Sequence, residues 1–536
     1  MQNTMMDFPL TLAHILRRAG QLFGNTEIVS RLPDKSLHRY HYRDFHRRAL
    51  ALGGALQAMG LKPGDRVATL MWNHYAHLEA YFGIPCAGFT LHTLNLRLHP
   101  DDIAYIAQHA GDRVLIVDDV LLPLYEKIRG QVKFDRVIVV PLSGVAIKGG
   151  HEDYEALVAN AAALTAPPLD ENAPAGMCYT SGTTGRPKGV VYSHRALVLH
   201  SMASAMGDTL ALTQADSLCP VVPMFHVNAW GLPFTGVMVG CKLVMPGPHL
   251  DAASLLDLYQ SEQVTFTAGV PTIWMGILQA LEKNPGQWKL TSGMRMVVGG
   301  AAASEAMIRA FDQHDLRVLH AWGMTETTPL GTTAHLKASM WALPADEQYA
   351  VRAKQGLPAP FVEVRAMTDS GEAPWDGATM GELQVRGPWI AAGYHALEAE
   401  ADKWTADGWF RTGDVATIDS EGYVKITDRT KDLIKSGGEW ISSLDLENAL
   451  MAHPAVQEAA VIGVAHPKWD ERPLAVIVLK SGAAVDDAAL RAFLAPRLAK
   501  FWLPDAFEFV AEIPRTSTGK MLKSALRDQY REWRWP

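Results

Sequence analysis

Short β-branched runs that alternate with helical periodicity restrict this chain more than any other feature. Lys62-Pro63-Gly64-Asp65 turns the chain into the buried run Arg66 to Met71, and Asp112 to Asp118 and Arg136 to Val140 repeat the pattern. Residues 8–24 and 43–60 read as amphipathic helices, and in the second Phe45, Ala49, Leu52 and Leu56 recur at helical spacing. Such alternation predicts an α/β architecture of mainly parallel sheets flanked by helices. At 536 residues the chain exceeds a single simple core, so two or more domains are expected.

Composition excludes several classes. A formal net charge of −8 disfavours a nucleic-acid partner, although one positive loop on an acidic protein still suits an anionic ligand. Cys86, Cys178, Cys219 and Cys241 form no CxxC pair and sit among small or apolar neighbours, as buried free thiols do. The first residues lack a basic segment followed by an apolar one, and no stretch reaches the ~18 apolar residues of a membrane span. The expectation is a cytoplasmic protein with no membrane span.

The most chemically loaded stretch is Tyr179 to Gly189, Tyr-Thr-Ser-Gly-Thr-Thr-Gly-Arg-Pro-Lys-Gly. Its glycines let backbone approach a ligand, its hydroxyls donate, and Lys188 adds a mobile charge, which together suit a polyphosphate. It is not a P-loop. Counted from Gly182, the second glycine position holds Pro187, and Gly189 rather than a hydroxyl residue follows Lys188. Taken alone, the stretch also reads as a surface Gly/Thr turn.

Four further stretches carry chemistry. Met294 to Val298 reads as a strand opening into Gly299-Gly300-Ala301-Ala302-Ala303, a place where open α/β sheets bind ligands. In Trp322-Gly323-Met324-Thr325-Glu326-Thr327-Thr328, Trp322 suits a flat ring and Glu326 among hydroxyls suits Mg²⁺; Thr-Glu-Thr is equally a helix start. Asp414, closing Asp407 to Asp414, reads as a turn carboxylate for ribose hydroxyls or as part of a charged β-turn. Pro514 to Lys520 is a polar loop presenting one lysine. The charged run Asp428 to Asp432 reads as a solvated loop or a domain hinge, and about 105 residues after it suffice for a small domain. In that part Val456 to Val464 and Leu474 to Leu479 read as strands and 487–499 as a helix, while 145–174 reads as irregular.

In order and spacing these motifs resemble those of the adenylate-forming superfamily of acyl-CoA synthetases, luciferases and peptide-synthetase adenylation domains. The likeness spans nearly the whole chain. Pro223 to Trp230 and Lys435 to Ser443 are similar to bacterial medium- and long-chain fatty acyl-CoA synthetases and to 3-(methylthio)propionyl-CoA ligases. The resemblance implies a large N-terminal α/β domain, residues 1–428, a linker at 429–432 and a small mobile α+β domain, residues 433–536. It implies ATP, Mg²⁺ and coenzyme A acting on a carboxylic acid, with a homodimer left open.

By the same resemblance, Ser181, Gly182, Thr183, Thr184 and Lys188 hold phosphates, and Thr184 with Glu326 holds the metal. Ala301, Ala302, Trp322, Gly323, Met324 and Thr325 line the nucleotide, and Asp414 and Arg429 hold its ribose. Lys520 contacts the carboxylate and α-phosphate. Lys435, Gly437, Gly438 and Glu439 serve the coenzyme A path, and Lys431 is the hinge. His226, Val227, Trp230, Gly299 and Trp322 shape the acyl site, with His226, Thr184, Glu326 and Lys520 as the catalytic set. Many relatives carry Tyr at Trp322, so a contact made by that hydroxyl is put in question. A luciferase-like oxygenase, an adenylation protein serving a separate carrier, and a silent nucleotide-binding protein are the competing readings.

Overall fold

A computed structural model describes residues 3–145, 147, 150–162, 164–180, 186–436, 439–515 and 521–535, without the side chains of 398, 399 and 439. Among these residues two large, mostly parallel sheets form the bulk of the chain. The first has seven strands, in which Arg66–Leu70 lies between Thr90–Thr93 and Asp112–Asp118, and Pro174–Tyr179 pairs in turn with Gly189–Ser193 at one edge. The second has nine, with Met294–Val298 between Phe266–Gly269 and Leu316–Gly323. The α/β class expected from the alternating runs is the class observed.

The helix Tyr75–Cys86 explains how the two sheets share a core. Every one of its residues is buried, so it presents no polar face to water and must lie inside. One continuous cluster joins its side chains to Leu91, Ile116 and Cys178 of the seven-stranded sheet and to Ile28, Leu243 and Phe266 of the nine-stranded one. Glu79, the one carboxylate in that helix, is tolerated because Arg48 pairs with it at 2.7 Å and Tyr154 donates to it at 2.7 Å. All four cysteines are free and buried.

A third sheet was not anticipated by the alternation. Glu363–Thr368, Gly381–Arg386, Phe410–Ile418 and Val424–Arg429 belong to an antiparallel five-stranded sheet. It follows directly on the edge of the nine-stranded sheet, and its own core contains Trp389, Phe410 and Val424. The segment 145–174 is less irregular than expected: Tyr154–Asn160 is a helix started by Asp153, which accepts from Ala156 N at 2.8 Å.

After Arg429 a second five-stranded sheet, mainly antiparallel, carries Val456–His466 and Asp470–Leu479, with Ala506–Phe509 added in parallel. The helix expected over 487–499 ends at Leu494, because Pro496 lacks the N–H that a further turn requires. The first helix begins only at Leu12, where Thr11 is still extended. Lys523 is buried in this part against Glu447, 2.7 Å away, and burial pushes the Glu447 carboxyl up to about 7. Asp428, at the end of the third sheet, accepts from Ser443 N at 2.7 Å and so ties that sheet to the helix Ser443–Met451. Arg527 pairs with Asp432 across the same junction. Among the described residues no helix is long and apolar enough to cross a membrane.

Candidate active site

The strand Pro174–Tyr179 leads into the phosphate-type stretch and Gly189–Ser193 leads out, hydrogen-bonded antiparallel to each other. The neck between them is closed twice: Thr180 N donates to Lys188 O at 2.9 Å, and Lys188 N donates to Thr180 Oγ1 at 3.0 Å. Gly189 is required at this neck, since a Cβ there would sit 2.9 Å from the Tyr179 ring. Ser181, Gly182, Thr183, Thr184, Gly437, Gly438 and Lys520 lie outside the described residues, as does the side chain of Glu439.

Three sheets converge on Lys188 and Glu326. Glu326 sits in a 3-10 turn just after Leu316–Gly323, and it is buried. Tyr394, from the connection after Gly381–Arg386, donates its hydroxyl to Glu326 Oε1 at 2.6 Å. Lys188 Nζ stands 5.2 Å from the centre of the same Tyr394 ring. Tyr192, on the strand leaving the neck, donates to Thr325 O at 2.8 Å. A buried carboxylate beside hydroxyl residues is a hard-oxygen donor set, and it fits Mg²⁺, which takes few protein ligands and shares the rest with phosphates.

Asp414 is not at a turn. It lies within the strand Phe410–Ile418, paired opposite Arg429 at the end of that ladder and within an irregularity of the pairing to Gly381–Arg386. Arg429 Nε lies 2.5 Å from one Asp414 oxygen and Trp322 Nε1 donates to the other at 2.9 Å. The indole of Trp322 therefore makes a polar contact of its own, so this position is not without a hydrogen-bond donor. Each carboxylate oxygen keeps a second lone pair, so the pairing still permits further donors. Gly323 cannot be replaced, since a Cβ there would fall 1.7 Å from Pro329 O.

Residues 227–230 form a turn of the opposite hand to an ordinary helix. Val227, Asn228, Ala229 and Trp230 have φ of 45, 52, 48 and 58°. Left-handed backbone costs about 1–2 kcal/mol per non-glycine residue, so four in succession store strain that the surroundings must offset. The offset is visible. Asn73 donates through Nδ2 to Pro220 O and Val222 O, both at 2.9 Å, and accepts from Met224 N at 2.7 Å. Tyr81 also donates to Met224 O. The turn aims Trp230 at the end of the strand Met294–Val298, so close to Gly299 that a Cβ on that glycine would meet the indole at 2.9 Å. His226 precedes the turn, half-buried, and its N–H donates to Pro223 O at 3.0 Å.

The small-residue turn 299–303 is positioned by His320. Ala303 N donates to His320 Nε2 at 3.3 Å, and the ring's other nitrogen faces Ala353 O at 3.0 Å. Burial lowers the His320 pKa to about 4, in keeping with the neutral ring that this pattern needs. Ala301 is exposed and Ala302 half-buried at the turn's rim. Lys435 stands elsewhere, on the C-terminal sheet, 5.7 Å from the ring of the exposed Trp440. Lys431 is exposed at the junction between sheets.

The structure thus brings Lys188 together with Glu326, Trp322 with Asp414 and Arg429, and Trp230 with Gly299. Sequence reasoning missed Asn73, His320 and Tyr394. The first two are a lone Asn and a lone His with no local motif, and Tyr394, in Gly393-Tyr394-His395, has only a short turn around it.

The model of the AMP-binding enzyme family matches residues 16–395, and that of the AMP-binding enzyme C-terminal domain matches 445–520. The chain belongs to the AMP-binding enzyme family. It is 50% identical over 533 residues to a long-chain-fatty-acid–CoA ligase of Thermus thermophilus, covering 99% of this chain and 97% of that one. It is 44% identical over 539 residues to a 3-methylmercaptopropionyl-CoA ligase of Ruegeria lacuscaerulensis, covering 99% of each. Among solved structures it is similar to an anthranilate CoA ligase in complex with anthranoyl-AMP, with a TM-score of 0.86, 26% identity and 98% of both chains covered.

Asn73→Ala should destabilise the protein by about 2–4 kcal/mol, because it strands two carbonyls and one N–H inside the core. Urea unfolding followed by tryptophan fluorescence measures this; an unchanged midpoint would show that the strained turn is held by other contacts.

Proposed function

We propose that this protein is an ATP-dependent acid–thiol ligase that joins a medium- or long-chain fatty acid to coenzyme A. The observation that carries the reading is that Tyr394 links Glu326 to Lys188 while Trp322, four residues before Glu326, bonds Asp414, in a chain that is 50% identical to a long-chain ligase over nearly its whole length.

The reaction runs in two steps. A carboxylate oxygen of the acid attacks the α-phosphorus of ATP, the bond from that phosphorus to the leaving pyrophosphate breaks, and an acyl-adenylate remains. The sulfur of coenzyme A then attacks the acyl carbonyl, its proton is lost, and the carbon–oxygen bond to AMP breaks. In the first step charge builds on phosphate oxygens, and fixed cations and donors stabilise it without reorganising. Lys188 and the hydroxyls of Ser181, Thr183 and Thr184 face the phosphates. Trp322 flanks the adenine, Asp414 takes the ribose hydroxyls, and Arg429 holds Asp414. Glu326 and Thr184 would hold Mg²⁺, which neutralises phosphate charge when bound. Lys520 neutralises the carboxylate and α-phosphate.

The second step needs the thiol near the position that Lys520 occupies in the first. Residues 1–428 then form the fixed body, 429–432 the linker and 433–536 the moving part, with Lys431 as the pivot. This is gating by domain closure. Gly437 and Gly438, with Lys435 and Glu439, would serve the pantetheine path, since glycine carries no side chain to obstruct a thin chain. The tie from Asp428 to Ser443 N and the ion pair of Arg527 with Asp432 are the contacts such a movement would remake.

The test is product analysis. Purified protein with ATP, Mg²⁺, coenzyme A and carboxylates from propionate to palmitate should release AMP and give the most thioester with medium or long acids. Release of ADP, or AMP without thioester, would refute the assignment.

A short-acid reading, for 3-(methylthio)propionate, is favoured by one observation: Trp230 lies against Gly299 and leaves no room for even a Cβ there. Trp230 is then either a wall or a gate. Trp230→Ala should let long acids bind without ATP if the indole is a gate, and should trade short acids for longer ones if it is a wall. An unchanged substrate profile with an earlier melt would remove Trp230 from the site.

A further inference from the structure

The ammonium of Lys188 already has an anion. Its Nζ lies 2.5 Å from Glu400 Oε2, and neither side chain is fully exposed, at 18% and 31%. Glu400 belongs to the 3-10 segment Glu398–Lys403, within the connection that carries Tyr394.

That connection is fastened over the junction from both sides. Ala391 N donates to Glu326 O at 2.7 Å and His395 N donates to Gly189 O at 2.8 Å. Tyr394 reaches Glu326 with its hydroxyl and Lys188 with its ring. Trp404 packs on the Tyr394 ring at 5.2 Å and donates from Nε1 to Ala391 O at 2.6 Å, which closes the connection on itself. Glu400 is therefore delivered to Lys188 by a tied strap, bonded through Ala391 to Glu326 and through His395 to Gly189 at the end of the phosphate stretch.

Two anions cannot share one ammonium at close range without repulsion, and partial burial reduces the water that would screen it. A triphosphate engaging Lys188 brings negative charge to the place where the Glu400 carboxylate lies. We propose that Glu400 is an internal counter-ion that occupies Lys188 in the absence of nucleotide and is displaced by the phosphates of ATP. It holds the lysine in place for the ligand and sets part of the ATP affinity, because each binding event must break this pair. A carboxylate that instead helped to hold Mg²⁺ would have the opposite effect on affinity when removed.

The inference rests on the phosphate role of Lys188, and the test separates the two. ATP binding is measured by calorimetry on the full-length protein with Mg²⁺ and without acid or coenzyme A. Glu400→Gln keeps the side-chain shape and removes the charge, and Glu400→Ser is the second variant in case the amide disturbs the strap. Either should lower the Kd for ATP about two- to five-fold, the range for a partly exposed ion pair. Lys188→Ala should raise the Kd, and adding Glu400→Gln to it should bring no recovery. If Lys188→Ala weakens ATP binding but both Glu400 variants leave the Kd unchanged or raise it, the counter-ion role is wrong and the phosphate role stands. If Lys188→Ala leaves the Kd unchanged, the phosphate role itself fails, and the counter-ion role with it.

Discussion

The hydrogen bond from Tyr394 to Glu326 is the contact on which the site depends. Glu326 follows a strand of the nine-stranded sheet, Tyr394 leaves a strand of the antiparallel sheet, and the ring of Tyr394 meets Lys188 at the edge of the seven-stranded sheet. A single tyrosine so joins three separately built layers. A buried carboxylate is costly unless hydrogen-bonded, and here the partner that satisfies it also fixes the distance between layers. Parallel sheets can bring loops together at one end, but they do not set how far apart those loops stand. The side chains between them do.

The same logic governs the turn at residues 227–230. Four residues in left-handed backbone are an unfavourable local choice, which two local bonds, Ala229 N to His226 O and Gly231 N to Asn228 O, offset only in part. They persist because Asn73, projecting from beyond the strand Arg66–Leu70, bonds the chain on either side of Pro223. The fully buried helix Tyr75–Cys86 begins two residues later and fixes Asn73 in turn. Core packing between the large sheets is thereby converted into a strained turn that presents Trp230 to Gly299.

How much of this was legible in the sequence follows from the range of each interaction. Strands Asp112–Asp118, Arg136–Val140 and Met294–Val298 were read to the residue, because apolar β-branched runs between turn residues carry their own signal. Helix ends are overrun at the start of Leu12–Leu22, where Thr11 is still extended, and at Pro496, whose missing N–H stops the helix before periodicity does. Asp414 was misplaced at a turn because Gly413 looks like one, whereas Asp414 pairs with Arg429 within the strand. The antiparallel sheet goes unread, since strands such as Glu363–Thr368 and Gly381–Arg386 carry charged and polar residues between their apolar ones rather than a continuous β-branched run. Asn73, His320, Tyr394 and Glu400 were invisible for one reason: each acts on a partner far away in sequence. The departure at Trp322 shows the reverse case. The sequence raised the loss of a tyrosine hydroxyl, and the structure supplies an indole N–H to Asp414.

In the proposed reaction the acid oxygen itself bonds to the α-phosphorus at this junction. Isotope transfer tests it directly. A medium-chain fatty acid labelled with ¹⁸O in its carboxylate is turned over with ATP and coenzyme A, and the phosphorus products are resolved by mass spectrometry. The account predicts one labelled oxygen in each AMP formed and none in pyrophosphate. Label in inorganic phosphate, or AMP free of label, would contradict it.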